Sequence, residues 1–208
     1  MSANETLLVE IGTEELPPKA LPELAQAFFD ALCAGLDKRG IGFEREGSRP
    51  LYTPRRLAAT VANVALQQPA RKSEVLGPYL NIGLDKDGKP TPALMGFASK
   101  NGVEVAALER TSDNKGERFV ARSEKPGAAT AELLAEIVAE ALKALPVPKP
   151  MRWGDRDTTF VRPAHWLVLM LGDQVVEGEV LGLRADRMSR GHRFHHNKSV
   201  WVSNASEY

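Results

Sequence analysis

The stretch MRWGDRDTTFVRPAHWLVLMLGD (residues 151–173) decides the fold, because its second half, His165-Trp166-Leu167-Val168-Leu169-Met170-Leu171, is almost wholly apolar. Such residues suit a pleated surface, and a strand with apolar side chains at both phases is covered on both sides, by a helix or a neighbouring domain. Gly172-Asp173 supplies a two-residue turn. Residues 174–183 then resume with Val175, Val176, Val180 and Leu183, which predicts an antiparallel hairpin. A buried helix is the competing reading, but the run is short and Pro163 stands just before it.

Residues 151–194, ending in RMSRGHRF (residues 187–194), also gather Trp153, Trp166, His165, His192 and the arginines 152, 156, 162, 184, 187, 190 and 193. Chemistry or recognition is expected there. From Arg184 to Lys198 four arginines and one lysine face a single acid, Asp186. The 208-residue chain as a whole carries 27 basic and 27 acidic side chains, so it is no polycation that coats nucleic acid indiscriminately. Its length allows one large domain or two small ones, and 43% hydrophobic content is that of a globular protein.

Upstream, Leu7-Leu8-Val9-Glu10-Ile11-Gly12 reads as a strand ending at a glycine, and Thr13-Glu14-Glu15-Leu16-Pro17-Pro18 turns the chain. Leu21, Leu24, Ala25, Phe28, Leu32 and Leu36 recur at helical spacing, with Gly40 where a C-terminal cap belongs. Residues 42–45 and 57–64 read as strands joined through Thr53-Pro54-Arg55-Arg56. Residues 73–88 are turn-rich. Residues 92–100 form a short helix closed by Asn101-Gly102, and residues 103–110 and 117–122 read as strands around Asp113-Asn114-Lys115-Gly116. A second long helix follows, capped by Thr130 and striped by Leu133, Leu134, Ile137, Val138, Ala141, Leu142 and Leu145. Pro146-Val147-Pro148-Lys149-Pro150 is a stiff connector.

The fold class is therefore α+β, with antiparallel or mixed sheets and two long amphipathic helices. The expected division is residues 1–150, an N-terminal α+β domain, and residues 151–208, the hairpin and basic segment, continuing it or beginning a second module. The tail SVWVSNASEY (residues 199–208) closes on a helix start, which reads as the N-terminal fragment of a longer multidomain subunit. One cysteine, Cys33, allows no internal disulfide, and no leader or long apolar run stands out, so a cytoplasmic location is expected and no membrane contact.

Catalytic signatures are missing. There is no glycine-rich phosphate loop, cysteine pair or serine elbow. Asp85 and Asp87 lack the remaining ligands of a calcium loop, and His192, His195 and His196 lack a fourth zinc ligand. Glu10, Glu14 and Glu15 are readable as an acid and base pair, but glutamates around a turn more commonly favour a following helix N-terminus. Of the adjacent Arg55 and Arg56, one is expected to reach outward while the other anchors the loop, since neighbouring strand residues point to opposite faces.

Six strings occur in order along the chain: residues 8–17 (LVEIGTEELP), 53–57 (TPRRL), 74–78 (EVLGP), 151–154 (MRWG), 160–166 (FVRPAHW) and 190–194 (RGHRF). Together they resemble the N-terminal part of the beta subunit of bacterial glycyl-tRNA synthetase. His195-His196 departs from that pattern. The resemblance implies an alpha and beta hetero-oligomer that joins glycine to its tRNA with ATP and magnesium. It places the catalytic core and its ATP and magnesium on the alpha subunit, with tRNA binding and assembly on the beta subunit. No catalytic residue, metal or cofactor is then expected on this chain. The partners expected are the alpha subunit, the remaining beta-subunit domains and glycine tRNA. Arginine density and motif position select Arg55, Arg56, Arg152, Arg162, Arg190 and Arg193 as RNA backbone contacts, with Trp153 as a stacking platform. The alternative is a pure protein docking module without RNA contact.

Overall fold

The computed structural model describes residues 4–147, 151–152 and 159–208. The chain divides into two compact units, residues 1–68 with 128–208, and residues 69–127. Strands from both sides of residue 150 share one sheet, so residues 151–208 continue the N-terminal domain, and the separate unit is residues 69–127.

In the first unit, β1 (Asn4–Thr13) is followed by α1 (Leu21–Lys38), β2 (Glu44–Thr53) and β3 (Arg56–Ala65). In the second unit come β4 (Arg71–Tyr79), α2 (Leu80–Gly83), α3 (Pro92–Lys100), β5 (Glu109–Asp113) and β6 (Gly116–Lys125). The chain then returns through α4 (Thr130–Lys143), β7 (Met151–Arg152), β8 (Thr159–Phe160) and β9 (Ala164–Leu171). It ends with β10 (Gln174–Val175), β11 (Glu179–Val180), β12 (Leu183–Asp186), β13 (Met188–Arg190), β14 (Ser199–Trp201) and a 3-10 turn, Ala205–Glu207.

The large sheet runs β11-β12-β9-β1-β3-β2, with β10 also on β9. β1 is central and antiparallel to both β3 and β9, so Glu10 lies opposite Ala58 on one side and Val168 on the other. Alternation along β1 then sorts its side chains. Leu7, Val9 and Ile11 join the core beneath α1 and α4, whereas Leu8 packs with Val168, Met170, Val202 and Ala205 on the opposite face. Both faces of β9 are thus covered, one by helices and one by the C-terminal segment, as its unbroken apolar run requires.

The hairpin turn at Gly172 has φ +61 and joins β9 to β10 in antiparallel register. The second arm is shorter than its valines suggest. Val176 and Val180 turn into the helix-side core, and β12 returns to pair with β9 in parallel. Thr130 does not cap α4. Its hydroxyl donates to the Ala65 carbonyl at 2.5 Å, tying the helix start to β3. At the other long helix, the C-terminal turn closes through Gly40 at φ +69, with Ile41 N donating to Leu36 O at 3.0 Å.

In the second unit, β4-β6-β5 form an antiparallel sheet. The strand β4 replaces the turn-rich reading, because Gly77-Pro78 sits in a register break between Leu76 and Tyr79 rather than ending the strand. Residues 105–107 form a 3-10 turn before β5, where a continuous strand is expected from the sequence. No helix among the described residues is long and apolar enough to cross a membrane.

Candidate functional site

The register of the large sheet sets the site. Gly12 faces Arg56 on β3 and Trp166 on β9, so Glu10, Gly12, Arg56 and Trp166 share one face at the same end of three neighbouring strands. Gly12 is required there by space: a Cβ on it would stand 1.9 Å from the Trp166 ring. The indole therefore lies flat over the β1 backbone, and its Nε1 donates to Glu10 Oε1 at 2.6 Å.

Glu10 is fully buried, and its carboxylate collects donors from three directions. Besides Trp166, Ser189 Oγ on β13 lies 2.8 Å from each carboxylate oxygen, a single hydroxyl shared between two acceptors. Arg56 Nε stands 3.3 Å from Oε1, close enough for an ion pair but without hydrogen-bond alignment, so the attraction there is one of charge. Arg56 also donates to the Arg190 carbonyl and lies 3.5 Å from the Tyr208 hydroxyl. Burial, then the charge of Glu10, pushes the Tyr208 phenol above its ordinary value of 10.0.

Above this layer, three loop segments are stitched together by main-chain bonds. Thr13 N donates to Arg55 O at 2.9 Å, Glu14 N to Pro163 O at 3.0 Å and Leu16 N to Pro54 O at 2.6 Å. Glu14 accepts from Arg55 Nη2 at 3.1 Å and lies 2.9 Å from His165 Nε2. The hydrogen bond to His165, aided by the charge of Arg55 and opposed by desolvation, holds the Glu14 carboxyl below its ordinary value of 4.5. Glu10 and Glu14 therefore serve as counter-ions and hydrogen-bond acceptors in strand and loop. Neither belongs to α1, which begins at Leu21.

Between these elements opens a cavity of about 430 Å³, walled by residues 14–15, 53–56, 165–166 and 190–194 with Asn197. Arg55, Arg56, Arg190 and Arg193 all line it. Arg55 and Arg56 both reach it because Arg55 occupies the hairpin turn while Arg56 begins β3; the opposite-face expectation applies to strand residues only. Both are neutralised by glutamates. Arg190 and Arg193 have no carboxylate within ion-pair distance among the described residues. Instead, the Arg190 guanidinium sits 5.4 Å over the Trp166 ring and that of Arg193 5.6 Å over Phe194. Arg187 stacks similarly on Trp201 at 4.9 Å.

Arg162 anchors a loop, donating from Nε to Glu15 O at 3.1 Å. Arg152, on β7, is exposed and does not line the cavity. Trp153 lies outside the described residues. Residues the sequence reading left out are Ser189, Phe194, Trp201 and Tyr208. Phe194 carried a signal, a large apolar ring inside a basic run, and it is 82% exposed. No group of three or more His, Cys, Asp or Glu that could hold a metal ion occurs among the described residues.

Four of the recurring strings thus meet around one cavity, and known proteins sharing them can be compared. A family profile described as "Glycyl-tRNA synthetase beta subunit" matches residues 7–208. The chain belongs to the glycyl-tRNA synthetase beta subunit family. Curated members similar to it are named "Glycine--tRNA ligase beta subunit". That of Xanthomonas campestris pv. campestris (strain B100) is 58% identical over 208 residues, and that of Xylella fastidiosa (strain 9a5c) 51% over 208. Both alignments cover the whole of this chain; the Haemophilus influenzae relative is 45% identical over 98% of it. The chain spans about 30% of the length of these beta subunits.

Proposed function

We propose that this chain is a non-catalytic portion of the beta subunit of glycine-tRNA ligase, which attaches glycine to its tRNA with ATP. It contributes tRNA contacts and takes part in assembly with the alpha subunit and the remaining beta-subunit domains. The observation that carries the tRNA reading is the pair Arg190 and Arg193. They stand on the rim of an arginine-lined cavity without carboxylate partners among the described residues, beside an exposed ring. Guanidinium groups outside ion pairs and beside aromatic faces suit a phosphate backbone with unstacked bases. Family membership supports the ligase assignment, and the ATP and magnesium belong to the alpha subunit on this reading.

The experiment is a tRNA titration with this chain across a salt series, with wild type and the Arg190→Ala/Arg193→Ala variant. The reading expects affinity to fall steeply with salt, and the slope of log affinity against log salt to flatten by about 1 for each phosphate contact removed. Wild-type binding that ignores salt, or a variant with the wild-type slope, contradicts it.

A further inference from the structure

The cavity offers more than positive charge. We propose that it holds a single unpaired nucleotide, with its phosphate on Arg190 and Arg193, its base against the Phe194 ring, and a base amino group donated to Glu15. The inference rests on the tRNA reading above and names what that site selects.

Size sets the first limit. A cavity of about 430 Å³ falls in the lower range of pockets that enclose small ligands, so it accommodates one nucleotide and not a duplex segment. Shape sets the second. A duplex presents phosphates on its outside and keeps its bases stacked inside, whereas a recessed site reaches a base only when it is splayed out of a strand.

The chemistry of the walls then divides into the parts of a nucleotide. Arg190 and Arg193 supply guanidinium donors that no carboxylate holds at ion-pair distance among the described residues, although the charge of Arg193 also reaches Glu14. Phe194 is 82% exposed and carries the Arg193 guanidinium over its ring, which leaves ring surface for a base next to the charge that would take the phosphate. Glu15 is exposed, lines the same cavity and has no ion-pair partner among the described residues. Its carboxylate only accepts, so it favours adenine, cytosine or guanine, which carry exocyclic amino donors, over uracil, whose one N3–H donor is flanked by two carbonyl oxygens that repel a carboxylate.

The rest of the site holds these groups still. Arg55 and Arg56 are clamped by Glu14 and Glu10. The loop bearing Phe194 is folded over His192, whose Nδ1 accepts from the backbone nitrogens of Phe194 and His195 at 3.2 Å each. Gly191 permits that close turn, since a Cβ there would meet the His196 carbonyl at 2.1 Å.

The test compares three RNAs carrying equal numbers of phosphates: short oligoadenosine, oligouridine and a blunt duplex, each titrated against wild type, Phe194→Ala, Glu15→Gln and Arg190→Ala. Because Phe194 and Glu15 are exposed, neither substitution threatens folding. The expected result is a single-strand to duplex affinity ratio that falls roughly tenfold in Phe194→Ala. Wild type prefers adenosine over uridine, and Glu15→Gln, which keeps a carbonyl acceptor but adds an amide donor that the uracil O4 accepts, narrows that preference. If wild type binds RNA and Arg190→Ala weakens it, while Phe194→Ala and Glu15→Gln match wild type on every RNA, the nucleotide pocket is refuted and the tRNA reading stands. If no RNA binds at low salt, both fall.

Discussion

Replacing Glu10 by alanine should destabilise the first unit more than any surface change could. Three donors face this carboxylate, and truncation strands them together. The Trp166 N–H loses a partner at 2.6 Å. Ser189, itself only 3% exposed, loses an acceptor at 2.8 Å. A buried polar group left unpaired costs about 1–3 kcal/mol, with the lower end applying here because Trp166 is partly accessible and a hydroxyl can turn. The Arg56 guanidinium, 23% exposed, loses its counter-charge. Removing one partner of a fully buried pair costs about 3–5 kcal/mol, but water reaching Arg56 brings this term down to roughly 1 kcal/mol.

The sum is about 3 kcal/mol for Glu10→Ala. Glu10→Gln keeps the volume and one good acceptor yet turns an amide N–H₂ toward donors, so about 2 kcal/mol is expected. Urea unfolding followed by tryptophan fluorescence reads this directly. With a urea dependence of about 2 kcal/mol per molar, the alanine midpoint should move down by roughly 1.5 M. A loss below about 1 kcal/mol for Glu10→Ala, or a glutamine variant worse than alanine, would refute the claim that this carboxylate organises the site floor.

Gly12→Ala drives a methyl group into the Trp166 ring. It should cost about 1–3 kcal/mol and change the near-ultraviolet circular dichroism of that indole; an unchanged spectrum counts against the stacking. Glu14, with its folded value held below 4.5, contributes stability that is present above pH 4.5 and lost as pH falls through the lowered value. Urea midpoints measured on both sides of pH 4.5 should therefore flatten in Glu14→Gln, and equal acid sensitivity in the two proteins would count against the His165 and Arg55 contacts. Arg55→Ala should lower stability through the lost Glu14 contact, whereas Arg152→Ala should leave the salt slope of tRNA binding at its wild-type value, since Arg152 does not line the cavity. A tRNA salt slope lowered as much by Arg152→Ala as by Arg190→Ala would show that binding is diffuse.

Local chemistry made much of this architecture readable. The apolar run 165–171, the Gly172 turn and the stripes of α1 and α4 each carry a period or a turn signal of their own. Elements that failed to show carry conflicting signals. β4 contains Gly77-Pro78, which reads as punctuation unless a bulge is foreseen, and Thr130 reads as a cap although its hydroxyl serves β3. The arginines at 55, 56, 190 and 193 were visible among the candidates, but which of the candidates converge was not, because that follows from β1 pairing with strands more than forty and more than one hundred and fifty residues away. One clue lay in plain view. Glu10 is an acid within the apolar run 7–12, and a charge in that phase implies a buried partner.

The claim that the arginine-lined cavity meets tRNA is tested most directly by photocrosslinking this chain to tRNA carrying a photoreactive nucleotide, followed by peptide mapping. The account predicts crosslinks within residues 187–201 and 53–56, lost in Arg190→Ala/Arg193→Ala. Crosslinks confined to residues 69–127, or unaffected by that variant, would contradict it.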